Sequence, residues 1–229
     1  MTQHFWVVGT DTDVGKTLVT AAMMEFFQRK GENVIPYKPV QSGIVIEGSK
    51  SYYPDTAFYQ AHSNTRLVEE HVNSYSFKEP ASPHYAAFLD GAMISKDVIL
   101  NHINHLKMQY DYVICEGAGG LFVPLDEQLN YCFIDLIQES QLPVVLVTRT
   151  TLGTINHTLL SLEALKNRDI AVAGIVFNGF HGTHLEINNV RAIQQLTSLP
   201  SLTIPKLSHV ASLGGILLDG PLIERLMKQ

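Results

Sequence analysis

The chain has 229 residues, of which 45% are hydrophobic and 17% are charged, and its formal net charge at pH 7 is −6. This length and composition predict one compact domain over residues 1–229. The sequence contains no cluster of Lys and Arg, so we expect no nucleic-acid partner. We also expect no membrane partner, because no apolar run reaches the roughly 18 residues of a spanning helix. The N-terminus lacks a secretory signal pattern, and the two cysteines form no C-x-x-C pair, so the expected location is the cytoplasm.

The first segment of the chain predicts a site for phosphate groups. A buried strand is predicted at residues 4–8 and a helix at residues 18–29. Between them the chain reads Gly9-Thr10-Asp11-Thr12-Asp13-Val14-Gly15-Lys16-Thr17, which fits G-x-x-x-x-G-K-[ST]. Backbone N–H groups and the helix dipole both favour an anion at this position. Lys16 is expected to reach the β- and γ-phosphates, and the hydroxyl of Thr17 to bind Mg²⁺.

A second strand is predicted within residues 33–40, and this strand ends at Pro39. Its end carries Lys38, and Gln41-Ser42-Gly43 follows. Ligands of open α/β sheets lie beyond the carboxyl ends of the strands. A lone lysine is usually a solvated surface residue, but its place between two prolines at a strand end favours a role for Lys38 near the phosphates.

The middle of the chain holds two predicted loops and a short helix. Residues 44–54 and 80–84 are predicted as loops, the second one made rigid by its two prolines. Asp55 precedes a predicted helix at residues 56–62. The side chain of Asp55 can cap that helix or face a metal, and the spacing alone favours the cap.

A third strand ends in an acidic residue. Helix residues 95–109 lead to a buried strand at 111–116, and Glu116 is followed by Gly117-Ala118-Gly119-Gly120. An acid at such a strand end occupies the Walker-B position, which helps to hold Mg²⁺ in phosphoryl-transfer enzymes. The small residues allow the backbone to approach a ligand closely, although a fixed turn alone also explains them.

The rest of the chain continues the alternation of strands and helices. Strands are predicted at residues 142–147, 170–177 and 202–205, and helices at 133–138, 158–167, 186–197 and 217–227. Apolar strands alternating with helices predict a single-domain α/β P-loop fold, with a mostly parallel sheet and helices on both faces.

Five motifs together resemble the dethiobiotin synthetase family, the ATP-dependent carboxylases of biotin synthesis. In chain order they are the phosphate loop 9–17, then residues 37–43, Ser82-Pro83-His84, Glu116-Gly117-Ala118-Gly119-Gly120 and Leu152-Gly153-Thr154-Ile155-Asn156-His157. The resemblance runs from about residue 3 to about residue 180. The phosphate loop alone is not specific, but the combination is.

The resemblance implies a reaction and its reactants. The substrates are 7,8-diaminopelargonic acid, CO₂ or bicarbonate, and ATP, with Mg²⁺ as cofactor. One amine becomes a carbamate, ATP phosphorylates it to a mixed anhydride, and the second amine closes the cyclic urea. Such a phosphoryl transfer requires charge neutralisation more than covalent catalysis.

The resemblance also implies a role for each matching residue. Catalytic roles fall to Lys16, Lys38 and Thr12. ATP is bound by Asp13, Val14, Gly15, Lys16, Thr17, Leu18, Glu116, Gly117, Gly119, Asn178 and Pro205. The diamine is bound by Thr12, Lys38, Ser42, Leu152, Gly153 and Asn156. The metal ligands are Thr17, Asp55 and Glu116, so at Asp55 the resemblance overrides the preference for a helix cap.

A homodimer is implied too, with the loop 152–156 binding the substrate's distant carboxylate across the subunit interface. Arg149 departs from the family pattern and is bulkier than the residue expected there, which can alter the substrate pocket or the dimer contact.

Two other classes of protein compete with this interpretation. Amidotransferase-type synthetases such as the cobyrinate amide synthases need a glutaminase domain, for which 229 residues leave no room. Switch ATPases of the partitioning type usually carry an additional Lys near the start of the phosphate loop. Here Thr10-Asp11-Thr12 occupies that place, which favours the synthetase.

Overall fold

The computed structural model describes residues 4–207 and 213–227. The elements follow one another in the order β1 (Phe5–Gly9), α1 (Lys16–Arg29), β2 (Val34–Tyr37), β3 (Val40–Ser42), β4 (Val45–Glu47), β5 (Lys50–Tyr52), α2 (Pro54–His62), α3 (Glu69–Val72), β6 (Tyr75–Phe77), α4 (Pro83–Leu89), α5 (Lys96–Lys107), β7 (Tyr112–Glu116), α6 (Phe133–Ser140), β8 (Val144–Thr148), α7 (Thr154–Lys166), β9 (Val172–Phe180), α8 (His184–Thr197), β10 (Ser201–Pro205), a 3₁₀ turn (Leu213–Gly215) and α9 (Pro221–Met227).

The central sheet has six strands in the order β10-β9-β8-β1-β7-β2, and every pairing in it is parallel. Strands β1, β7 and β8 are buried at each position. Because successive side chains of a strand point to opposite faces, burial at each position requires that both faces of the sheet are covered. The predicted α/β fold with a parallel sheet is therefore confirmed.

The predicted strand at residues 33–40 is divided in two. Only β2 joins the central sheet, whereas β3 pairs with β6 in a separate two-stranded sheet. Pro39 lies at the break and has no N–H to donate to a sheet ladder. Its carbonyl instead accepts the backbone N–H of Tyr75 at 2.9 Å. The break places Lys38 and Ser42 on consecutive short segments beside the sheet's carboxyl edge.

Two of the predicted loops contain regular structure. Residues 44–54, predicted as a loop, hold the antiparallel hairpin of β4 and β5, which turns at Gly48 with a φ of 63°. The second predicted loop, residues 80–84, overlaps the start of α4, because Pro83 occupies the first turn of that helix. The short elements α3 and β6 were not predicted. The closing helix begins at Pro221 rather than at residue 217.

A buried histidine joins two central strands. His4 is 8% exposed, and its Nδ1 accepts the backbone N–H of Val113 at 3.0 Å. Burial, helped by the charge of Lys107, lowers the pKa of His4 from 6.5 to about 4. The folded protein therefore keeps His4 neutral over a pH range in which the unfolded chain protonates it.

We predict that this histidine destabilises the fold at acid pH. Between pH 6.5 and pH 4 the unfolded state binds one proton more at His4, so the free energy of unfolding falls as the pH falls, by up to about 1.4 kcal/mol per pH unit. In His4→Gln this contribution disappears, so the free energy of unfolding depends less steeply on pH. Urea denaturation across this pH range measures the difference. The exposed His184 is the control position, and His184→Gln keeps the wild-type slope. An unchanged slope in His4→Gln contradicts the prediction.

Candidate active site

The phosphate loop joins the end of β1 to the start of α1, as predicted. Gly15 is the N-terminal cap residue of α1, with a φ of 97° and no side-chain cap. A β-carbon at position 15 would lie 1.9 Å from Nδ2 of Asn178, a residue of β9. The first N–H groups of a helix without a side-chain cap remain available to an anion. Glycine at position 15 permits both the left-handed backbone and the close approach of Asn178.

Four polar side chains meet at the start of α1. The hydroxyl of Thr17 lies 2.8 Å from Oε1 of Glu116 and 3.0 Å from Oδ1 of Asp55. Nζ of Lys38 lies 3.0 Å from Oε1 of Glu116 and also contacts Oδ2 of Asp55. Two carboxylates, a hydroxyl and an ammonium group from four separate segments thus form one cluster.

The preference for Asp55 as a helix cap, which rested on spacing alone, is wrong. Helix α2 begins at Pro54 and its cap residue is Tyr53, so Asp55 lies in the first turn. Its carboxylate is directed at Thr17 and Lys38 instead. Proline at the first helical position starts α2 two residues earlier than the predicted start at residue 56.

Both lysines of the site are buried. Nζ of Lys16 donates to the backbone carbonyl of Asp11 at 2.9 Å. Burial lowers the pKa of Lys16, although the charge of Glu116 partly opposes this. Burial also acts to lower the pKa of Lys38, but the adjacent carboxylates of Glu116 and Asp55 outweigh it, so its pKa is raised. Lys38 is therefore a stable cation at neutral pH.

Tyr59 also belongs to the cluster, although sequence reasoning missed it. Its side chain is fully buried, and its hydroxyl donates to Oε2 of Glu116. Burial, followed by the charge of Glu116, raises the pKa of Tyr59 well above 10. Residues four apart lie on one face of a helix, so the four-residue spacing from Asp55 was the available signal.

A cavity of about 850 Å³ opens over this cluster. Its lining includes many of the predicted site residues: Thr12, Asp13, Gly15, Lys16, Thr17, Leu18, Lys38, Ser42, Asp55, Glu116 and Gly119. Three further lining residues, Ser82, Pro83 and Ala118, belong to motifs of the resemblance, and the others are Val40, Pro54, Phe58, Pro80, Ala81 and Val123. Ser42 lies at this wall, and its hydroxyl donates to the carbonyl of Ala81 at 2.9 Å. The cavity therefore combines a charged floor with a partly apolar wall.

The remaining predicted nucleotide residues, Val14, Gly117, Asn178 and Pro205, do not line this cavity. Nδ2 of Asn178 donates to the carbonyl of Val14 at 2.9 Å, which ties β9 to the phosphate loop. The backbone N–H of Gly117 donates to Val7 at 3.1 Å. Pro205 ends β10, the strand paired with β9.

The predicted carboxylate-binding residues also lie outside the lining of this cavity. Leu152 is 85% exposed, and Gly153 and Asn156 lie at the start of α7. The predicted loop 152–156 is wrong in part, because α7 begins at Thr154 rather than at residue 158, and none of these three residues lines the cavity.

Arg149 contacts the phosphate loop itself. Its Nη2 donates to the carbonyl of Thr12 at 2.9 Å, and its Nη1 lies 3.8 Å from Oδ2 of Asp11. The bulky side chain of Arg149 therefore stabilises the phosphate loop beside Thr12.

Two features are absent from the part of the chain that the structure describes. Residues 4–207 and 213–227 contain no group of three or more His, Cys, Asp or Glu side chains that could hold a metal ion. A cation at the cluster would thus depend on two carboxylates, the Thr17 hydroxyl and oxygen atoms from a ligand or water. Over the same residues no helix is long and apolar enough to cross a membrane.

Comparison with known proteins gives consistent matches. A family model described as "AAA domain" matches residues 3–212. An ATP-dependent dethiobiotin synthetase BioD of Lysinibacillus sphaericus is 53% identical, covering 99% of this chain and 97% of the relative. Proteins of the same name from Halalkalibacterium halodurans and Bacillus subtilis strain 168 are 42% and 35% identical, covering 87% and 90% of this chain and 83% and 88% of those relatives.

Solved structures of lower identity share the fold. The septum site-determining protein MinD of Pyrococcus horikoshii, complexed with Mg-ADP, gives a TM-score of 0.61 at 16% identity, covering 100% of this chain and 90% of that chain. The cell division protein FtsY of Thermotoga maritima gives 0.60 at 16% identity, covering 100% and 69%. At this identity the likeness concerns the fold alone.

We predict that Gly15→Ala weakens ATP binding at least tenfold. A β-carbon 1.9 Å from Nδ2 of Asn178 forces that side chain to move and to lose its hydrogen bond to the carbonyl of Val14, and the left-handed backbone at a φ of 97° adds strain. Titration calorimetry with MgATP measures the loss.

Gly48→Ala is the matched control for this prediction. Gly48 also has a positive φ, of 63°, but nothing lies within 4 Å of its added β-carbon. This variant therefore carries the backbone strain without the collision, and it keeps wild-type affinity. Equal affinities for Gly15→Ala and wild type contradict the assignment of the loop.

Proposed function

The chain belongs to the family of ATP-dependent dethiobiotin synthetases, and from this premise we propose that it converts 7,8-diaminopelargonic acid and CO₂ into dethiobiotin with hydrolysis of ATP. The observation that carries the proposal is the meeting of Lys16, Thr17, Lys38, Asp55 and Glu116 at one cavity. Four of these five residues carry charge. They provide a place where the phosphates of ATP and a carbamate can lie together.

The chemistry has three steps. An amine nitrogen attacks the carbon of CO₂ and loses a proton, which gives a carbamate. A carbamate oxygen attacks the γ-phosphorus, the bond from that phosphorus to the bridging oxygen breaks, and ADP leaves. The second amine attacks the carbonyl carbon of the mixed anhydride, loses a proton to solvent and expels phosphate, closing the urea ring. The second step brings the anionic oxygens of the carbamate and of the γ-phosphate together, so the site must mainly supply positive charge.

The two buried lysines can supply that charge from different directions. Lys16 lies at the phosphate loop, so we assign it to the β- and γ-phosphates. Lys38 lies across the cavity floor beside Glu116, and we assign it to the γ-phosphate and the carbamate. Thr12 lines the same cavity and is assigned to both reactants. Cations act more strongly in a buried site than in water, because the effective dielectric constant is lower there.

The donor set of the cluster fits Mg²⁺. Asp55 and Glu116 each place an oxygen within 3.0 Å of the Thr17 hydroxyl, and hard oxygen donors are those that Mg²⁺ prefers. Bound there with the nucleotide, the ion would neutralise charge on the phosphates. The residues that would hold it are Thr17, Asp55 and Glu116.

The remaining roles follow from position. We assign ATP binding to residues 13–18, Glu116, Gly117, Gly119 and Pro205, and recognition of the base to Asn178 of β9. Ser42 is assigned to the carbamate.

We further propose a homodimer in which Leu152, Gly153 and Asn156 hold the substrate's distant carboxylate for the other subunit. Residues 1–229 are proposed to form one domain that works in the cytoplasm. The free thiols of Cys115 and Cys132 suit a reducing compartment.

The proposed reaction predicts that phosphate release depends on the diamine. With MgATP and bicarbonate, addition of 7,8-diaminopelargonic acid should accelerate phosphate release, with dethiobiotin formed in equal amount. Coupled phosphate detection and mass spectrometry measure the two products. Slow phosphate release at the same rate with and without the diamine would contradict the synthetase and favour a switch ATPase.

The proposed roles of the two buried lysines predict a loss of turnover when either is removed. Lys16→Ala and Lys38→Ala should each lower kcat by about 10²-fold or more, because each removes a cation from the developing anionic charge. Lys166→Ala, an exposed lysine of α7, should leave kcat unchanged. The unfolding temperature of each variant separates lost chemistry from lost folding, since Lys38→Ala leaves two carboxylates without their cation. Turnover within a few-fold of wild type in either variant would show that the assigned role is wrong.

A further inference from the structure

We propose that Tyr59 is a positioning residue, whose hydroxyl fixes the carboxylate of Glu116 in the orientation that binds the magnesium–nucleotide complex. The inference rests on the proposed function for the use of the site, although its decisive measurement is binding rather than turnover. Tyr59 belongs to none of the five sequence motifs of the site. Only the contacts in the folded structure place it there.

The two oxygens of Glu116 have different partners. Oε1 lies 2.8 Å from the Thr17 hydroxyl and 3.0 Å from Nζ of Lys38. Oε2 accepts the hydroxyl of Tyr59. Because both oxygens are engaged from different directions, the carboxylate cannot rotate without breaking a contact. Tyr59 supplies the hydrogen bond to Oε2 from helix α2.

Burial makes this contact important. The side chains of Tyr59 and Glu116 are both 0% exposed, so water cannot replace a lost partner. A hydrogen bond to a charged group is worth about 1.5–3 kcal/mol, and leaving a buried acceptor unsatisfied costs more than the bond itself contributes. Without the hydroxyl, Oε2 loses its hydrogen-bond donor. The carboxylate can then rotate so that Oε2 competes for the donors of Oε1, which are Lys38 and Thr17.

The position of Tyr59 on α2 couples the two carboxylates. Asp55 and Tyr59 lie one helical turn apart on α2, and each contacts the cluster through its side chain. Helix α2 therefore carries one acidic residue and the group that orients the other. A purely structural role would instead require only the ring of Tyr59 to fill space, with the hydroxyl satisfied by chance.

Tyr59→Phe distinguishes these explanations, because it keeps the ring and removes the hydroxyl. Calorimetry measures ADP affinity in EDTA and in excess Mg²⁺, and the ratio of the two affinities gives the increment due to the metal. Loss of a group that orients a metal ligand typically costs 10–100-fold in metal affinity or activity. We expect this increment to fall about tenfold in Tyr59→Phe, with affinity in EDTA within twofold of wild type. We also expect kcat to fall while KM for the diamine is kept.

Tyr37→Phe is the matched control. Tyr37 is equally buried, and its hydroxyl lies 2.6 Å from Oγ of Ser74, outside the cluster. Tyr37→Phe makes the same chemical change and should leave the metal increment at the wild-type value. If Tyr59→Phe also keeps the wild-type increment, the positioning role is overturned.

Two further arms keep the result interpretable. If Tyr59→Phe is unfolded at the assay temperature, Tyr59→Met fills the same space flexibly without a hydroxyl, and the same tenfold loss is expected. If the wild type makes no dethiobiotin yet binds magnesium–ADP, the proposed function fails. In that case a lower increment in Tyr59→Phe still supports the role of Tyr59.

Discussion

The site depends on a single buried negative charge, the carboxylate of Glu116 at the end of β7. Its side chain is fully buried, and a buried carboxylate is tolerated only when it is paired and hydrogen-bonded. The partners here are Thr17, Lys38 and Tyr59. They come from α1, the segment after β2 and helix α2, so satisfying this one charge brings together the three segments that surround the cavity floor.

The position of Glu116 follows from the sheet. β7 lies between β1 and β2 and runs parallel to both, so the phosphate loop after β1, Lys38 after β2 and Glu116 at the end of β7 emerge along one edge. Parallel strand direction therefore converts three separate sequence motifs into one site. The phosphate loop adds the N-terminus of α1 to the same edge, where its dipole favours anions.

The sequence predicted those features whose cause is local. The phosphate loop follows from a fixed spacing of glycines and Lys16, and Glu116 from an apolar strand that ends in an acid. Asp55 was ambiguous because a helix cap and a metal ligand have the same local sequence, and only the tertiary fold distinguishes them. Tyr59 was missed because its partner lies 57 residues away, and its four-residue spacing from Asp55 is informative only once Asp55 is known to face the cluster. The β4–β5 hairpin was missed because its strands are exposed and carry no apolar alternation.

Thr148 at the end of β8 and Arg149 after it lie between the phosphate loop and the start of α7, to which we assign the distant carboxylate. Thr148 Oγ1 lies 3.3 Å from Thr10 Oγ1 and 2.9 Å from Thr154 Oγ1, and Arg149 donates to the carbonyl of Thr12. One short stretch thus contacts the phosphate loop on one side and the start of α7 on the other. In the proposed homodimer these two places serve different active sites, because the residues at the start of α7 hold the carboxylate of the substrate bound to the other subunit. Because Thr148 contacts both Thr10 and Thr154, a displacement at the start of α7 would break contacts of the same residue that holds the phosphate loop.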